Sequence, residues 1–147
     1  MRVLSGLMWT VASSLSLWLL ALLALPAHGQ VTLSDAALRA KQALSAHDAE
    51  ALVGPSSTLV LQIPGADPSS PLGRSQAIEL LRRYLRPAEE RGLDVTAIRE
   101  VEPGKGFVEI TRRYVVAGTT ELRHETLFLG YRLEGRDWHL VELRSAP

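Results

Sequence analysis

The sequence predicts an α+β domain with helices first and strands last, in the order α-α-β-α-β-β-β-β. Residues 34 to 85 carry apolar side chains mostly at helical spacing, whereas the chain after Leu93 breaks into four strand-like runs. Short segments of turn chemistry join those runs, so successive strands should be antiparallel neighbours. Helices gathered before such a meander are expected to pack on one face of a curved sheet.

Each element has its own signal. Ser34 precedes the Ala-rich run Asp35–Leu44, with an acid in the first turn, which marks a helix start. Ala40, Leu44 and Ala51 are expected to share a helical face. A second short helix starts within Ala46–Leu52, capped by Asp48. Thr58–Ile63 alternates, placing Leu59, Leu61 and Ile63 on one side of a strand. The stretch from Pro64 to Gly73 (PGADPSSPLG) has loop composition. Ser75–Leu85 is the third helix, burying Ile78, Leu81 and Leu85, and Pro87 ends it. Strands then cover roughly 93–101, 106–117, 121–133 and 137–144. Pro103–Gly106, Gly118-Thr119 and Glu134–Arg136 lie between them as turns. Trp138 is expected in the core, meeting Leu81, Ile78 and Leu61.

The first residues read as a removable export signal rather than as part of the fold. Arg2 is followed by an apolar stretch densest from Leu15 to Leu25, then by Pro26-Ala27-His28-Gly29. Cleavage after Gly29 would leave a single domain, 30–147, periplasmic or extracellular. The alternative is an uncleaved anchor, but Ser13, Ser14 and Ser16 shorten the apolar run below the roughly 20 residues of a span. No second hydrophobic segment follows, so no membrane contact is expected after cleavage. Of the 147 residues, 46% are apolar and 22% charged, with 16 Lys and Arg against 16 Asp and Glu. No basic excess exists to bind nucleic acid. The chain has 0 cysteines, which excludes disulfides, thiolate metal sites and thiol catalysis.

Three stretches in this order resemble the nuclear transport factor 2-like superfamily, the cystatin-like α+β cone. They are Ala43–Leu52 between the first helices, Gly73–Ile78 opening the third helix, and the closing Arg136–Leu143. The likeness spans nearly all of residues 33–145 and is nearest to small secreted branches of that superfamily. His47 stands where many relatives have Gly. The resemblance implies a cone whose helices line the concave face of the sheet. Its enzymes (ketosteroid isomerases, polyketide cyclases, scytalone dehydratases) place an acid or His base in an apolar pocket, and the isomerases add an oxyanion-stabilising Tyr or protonated acid. Here the first helix has no Tyr and Thr58–Ile63 no carboxylate, so the isomerase set does not carry over and no catalytic residue is assigned.

The remaining candidates are Tyr84 on the third helix with Arg112, Tyr114 and His124 on the central strands. If the hairpin loop is Gly118-Thr119-Thr120, Arg112 faces Thr126 and Tyr114 faces His124, among Val108, Ile110, Val116, Leu122 and Phe128. Polar groups among apolar ones on a concave sheet suit a small amphipathic ligand, with Arg112 on its polar end. A two-residue loop instead shifts the register by one and disperses the set. The other reading makes Arg112 and His124 edge or rim residues that pair with Glu125 or Glu121. The expected function is thus an exported small-molecule binding or interaction module. The alternative is an isomerase, cyclase or dehydratase with an atypical acid–base site around His124. His47 and Glu50 have metal-pair spacing but no third ligand nearby, and no cofactor or metal is expected. Arg82, Arg83 and Arg86 read as a solvated face, and Gly104-Lys105-Gly106 as a hairpin turn.

Strand 121–133 sets Leu122 and Phe128 on one side and Leu127, Leu129, Tyr131 and Leu133 on the other. With Val141 and Leu143, the second set would form an outer apolar face that favours a homodimer. A β-bulge that swaps faces is the alternative.

Overall fold

The computed structural model describes Gly29, residues 31–67 and residues 70–147. The export signal expected over residues 1–29 lies outside the described residues, Gly29 apart.

Helix α1 (Leu33–Ser45) starts one turn-residue pair earlier than its sequence signal, because the cap is Thr32 and not Ser34. The Asp35 N–H donates to Thr32 Oγ1 at 3.1 Å and the Thr32 N–H to Asp35 Oδ2 at 2.9 Å, a reciprocal capping box. Asp48 caps α2 (Ala49–Val53) as expected. Ala40 and Leu44 are buried, but Ala51 is exposed, because the break at His47 (φ 52°) turns α2 away from the α1 stripe. Next come β1 (Thr58–Gln62), a two-residue β2 (Leu72–Gly73) that the loop composition concealed, and α3 (Arg74–Leu85). Ile78, Leu81 and Leu85 are buried on the inner side of α3.

The meander is β3 (Ala88–Glu102), β4 (Lys105–Val116), β5 (Leu122–Glu134) and β6 (Asp137–Ala146). It forms a six-stranded sheet in the order β2-β1-β6-β5-β4-β3. All pairings are antiparallel except β1 with β6, where Val60 lies beside Glu142 and Leu61 beside Leu143. The helices cover one face: α1 packs on β3 and β4, and α3 on β1. Strand β3 begins five residues before the expected Leu93, since Pro87 stops the helix and the chain extends at once. Its register shifts at Glu90/Gly92, Val95/Ala97 and Glu100/Glu102 bend it around the helical layer.

The β4–β5 register differs from the one that joins the candidate residues. Arg112 lies opposite Glu125, Arg113 opposite His124, and Tyr114 opposite Arg123. This is the parity of a two-residue loop. The Thr119 N–H bonds back to the Val116 carbonyl at 2.9 Å, with Gly118 supplying a φ of 82°. One step of register exchanges the faces. Val108, Ile110 and Arg112 point inward with Glu125, Leu127, Leu129 and Tyr131, while Leu122 and His124 are exposed. The homodimer face expected from Leu127, Leu129, Tyr131 and Leu133 is therefore core. Leu127 and Leu129 are fully buried, Tyr131 is buried, and Leu133 packs against them. A bulge does exist, on β6: Gly130 pairs with Glu142 but Tyr131 with Leu140, so Leu140 and Leu143 both turn inward. Trp138 joins Leu61, Ile78 and Leu81 in the same core.

Candidate functional site

The most heavily buried polar group lies where α3, β3, β4 and β5 meet. Arg112 on β4 is 1% exposed and is the largest fully buried side chain. Sheet pairing brings Glu125 beside it from β5, and the β3 irregularity at Glu90/Gly92 aims Glu90 at it from the other side. Arg112 Nε donates to Glu90 Oε1 at 2.8 Å, with Nη2 donating to the same oxygen, and Nη1 donates to Glu125 Oε2 at 3.0 Å. The guanidinium also sits over two rings, 4.5 Å from the Tyr114 centroid and 5.5 Å from that of Tyr84. The Tyr84 hydroxyl donates to Glu125 Oε1. His47 Nε2 lies 3.1 Å from Glu90 Oε1, so the α1–α2 junction reaches the same cluster.

The electrostatics follow from burial. Desolvation works against the Arg112 charge, but its bonds to Glu90 outweigh it and hold the cation above the ordinary arginine range. Burial pushes the Tyr84 phenol well above the usual tyrosine value, and the bond to Glu125 adds to that. Arg112 engages two carboxylates through all three of its nitrogens, and two aromatic rings flank it. An incoming anion would have to displace a carboxylate to reach it. The arrangement locks β3, β4, β5 and α3 together.

The four candidate residues are thus divided. Arg112 and Tyr84 belong to the interior cluster, whereas His124 lies on an exposed position of β5. Tyr114 and His124 do border one recess of about 360 Å³ at the end of the sheet, together with Arg123, Glu125 and Ser145. Arg112 and Tyr84 do not line it. The acid–base site expected around His124 therefore lacks Arg112 and Tyr84. Sequence reasoning missed Glu90 and His47 as members of the cluster. Glu90 sits in the charged run Ala88–Arg91, between the expected third helix and the strand expected from Leu93, and its pairing with β4 turns it inward. Among the described residues, no three His, Asp or Glu side chains come together as a metal site. No described helix is long and apolar enough to cross a membrane.

The sequence matches no protein-family model and no curated protein. The fold does match solved structures. A ketosteroid isomerase-like protein from Erwinia carotovora atroseptica superposes with a TM-score of 0.63 at 13% identity, covering 80% of this chain and 97% of that one. A DUF4783 family protein from Bacteroides ovatus gives 0.61 at 12% identity, over 80% and 96%. A protein of ketosteroid isomerase-like fold from Catenulispora acidiphila, in complex with trimethylamine, gives 0.59 at 15% identity, over 79% and 87%. The described chain has the nuclear transport factor 2-like fold, an α+β cone with helices against a curved, mostly antiparallel sheet.

Proposed function

We propose that this chain of nuclear transport factor 2-like fold is an exported, non-catalytic binding module. The observation that carries the reading is the internally bonded Arg112 cluster. In it Arg112 spends all three nitrogens on Glu90 and Glu125, and Glu90 Oε2 is the one buried atom of the cluster left without a described partner. The polar groups that could have served an interior reaction are bonded to one another. General acid–base catalysis needs a proton-transfer group within reach of a substrate atom. His124 faces the outside, and Glu90 and Glu125 are committed to Arg112. Fold alone does not decide activity, since one architecture hosts enzymes and binders alike. The trimethylamine-bound neighbour supports the idea that cones of this kind take small ligands.

The test pairs two measurements on exported protein. Native mass spectrometry is expected to find a small molecule retained, while isomerase and dehydratase assays on ketosteroid and hydroxyketone substrates give no turnover. Turnover that disappears in His124→Ala would overturn the reading in favour of an enzyme. Mass analysis should also place the mature N-terminus at Gln30; intact Met1 in the membrane fraction would reverse the export assignment.

A further inference from the structure

About 20 Å along the sheet from Glu125, at ~3.3 Å per strand residue, a second recess opens between α1, α2 and the β5–β6 hairpin. Its volume is about 280 Å³. That lies just under the roughly 300–1,000 Å³ of sites for drug-sized molecules. The space exists because, inside the rim residue Arg39, α1 presents the small side chains of Ala36 and Ala40 opposite Trp138 and Leu140. At the rim, Arg39 Nη2 meets Asp137 Oδ1 at 2.8 Å, and both side chains are roughly half exposed at 49% and 41%. The Trp138 N–H donates to the same Asp137 oxygen at 2.9 Å, so the turn fixes the carboxylate and Arg39 comes to it.

Tyr131 forms the floor. It is 6% exposed and lines the recess. Its hydroxyl oxygen is not among the fully enclosed polar atoms left without a partner, so it is open to the recess. The Tyr84 phenol on α3, by contrast, is engaged by Glu125. Burial holds the Tyr131 phenol protonated, although Arg39 opposes the effect, so its O–H can donate to an anionic oxygen. The Asp137 charge is already matched by Arg39 and a backbone N–H. What the recess offers a ligand is therefore a phenol O–H, the remaining donors of a guanidinium, and an indole wall.

We propose that this recess is a binding site for a small aromatic carboxylate. The carboxylate oxygens accept from Tyr131 and Arg39, and the ring packs between Trp138 and the α1 alanines. The site deepens the binding-module reading and rests on it, but it uses none of Tyr84, Arg112, Tyr114 or His124.

The experiment is calorimetric titration of the intact exported protein with phenylacetate and indole-3-acetate, beside their primary amides. Saturable binding is expected, tighter for the acids. Removing one hydrogen bond in Tyr131→Phe should weaken it about threefold to tenfold while leaving the melting temperature unchanged or higher. Arg39→Gln should abolish the preference for acid over amide. An affinity untouched by Tyr131→Phe, or a melting temperature that falls in it, would overturn the site, the latter because the hydroxyl would then have an internal partner. Absence of saturable binding by either acid at millimolar concentration would overturn it too. Probe-induced NMR shifts confined to Tyr114 and His124 would overturn this site while leaving a binding module standing. Conversion of a bound acid to product would refute the non-catalytic reading and leave the site in place.

Discussion

Arg112 shows how much a single buried charge constrains. With the guanidinium gone, Glu90 and Glu125 would face each other across a water-poor space, and breaking a buried pair by removing one partner costs about 3–5 kcal/mol. Arg112→Met, which keeps most of the volume, should lose stability on that scale in urea denaturation. A loss under about 1 kcal/mol would mean that water reaches the cluster. Tyr84 and Tyr131 make a second residue-scale prediction, in alkali. Both phenols titrate well above the ordinary tyrosine range in the folded chain, from burial first and, for Tyr84, from Glu125 next. A raised folded value contributes stability that is fully present below the unfolded value of about 10 and lost as pH rises toward the folded one, about 1.4 kcal/mol per pH unit for each group. Stability should therefore fall steeply above pH ~10, and Tyr84→Phe should remove one group's share of that slope. From the sequence, Arg112 and Tyr84 stood only as members of a set of four with Tyr114 and His124, and the register leaves His124 outside the cluster that joins the other two. Glu90 was not legible, because its inward aim depends on pairing with a strand more than twenty positions away.

At the scale of elements, what was legible is what local chemistry determines. Gly and Pro punctuation located all four long strands, and Asp48 announced α2. The start of α1 was misplaced because Thr32 and Ser34 are both capping residues; only the reciprocal bond from Asp35 selects Thr32. Thr32→Ala should cost about 1 kcal/mol, read as a lowered melting temperature and faster amide exchange in the first turn. The same contacts hold the Asp35 carboxyl below its ordinary value, through the Thr32 backbone N–H first and its hydroxyl next. A lowered folded value gives stability present above the unfolded value near 3.8 and lost as pH falls through the folded one. The Thr32→Ala deficit should therefore shrink in strong acid. Strand register was not legible. Gly118-Thr119 and Gly118-Thr119-Thr120 are equally good turns by composition, and that single residue decides which side of β5 meets the helices.

For the molecule as a whole, that one step of register redirects every apolar side chain of β5. Leu129→Glu, which the sequence alone suggests as a way to split a dimer, should instead unfold the domain. It would bury a carboxylate with no described cation opposite, at a cost of several kcal/mol. Circular dichroism should show lost structure at neutral pH; a folded variant with an altered scattering mass would return Leu129 to an outer interface. The solvated side of the sheet carries Ile98, Val101, Phe107 and Leu122 as its exposed large apolar groups.

The parallel seam between β1 and β6 sets the order in which this architecture can be completed. Val60 waits for Glu142, and the Ser56 hydroxyl for the Leu140 carbonyl at 2.6 Å. The antiparallel ribbon from β3 to β5 can zip through local turns, but β1 has no partner beyond two residues of β2 until the final strand is available. Loop-closure entropy is spent before such remote contacts form, which raises contact order and slows folding. A chain halted before β6 would keep its hairpins and lack closure, leaving the edges of β1 and β5 open. Synthesis would thus outrun folding until β6 has emerged, and this late strand acts as the latch that converts an open ribbon into a cone.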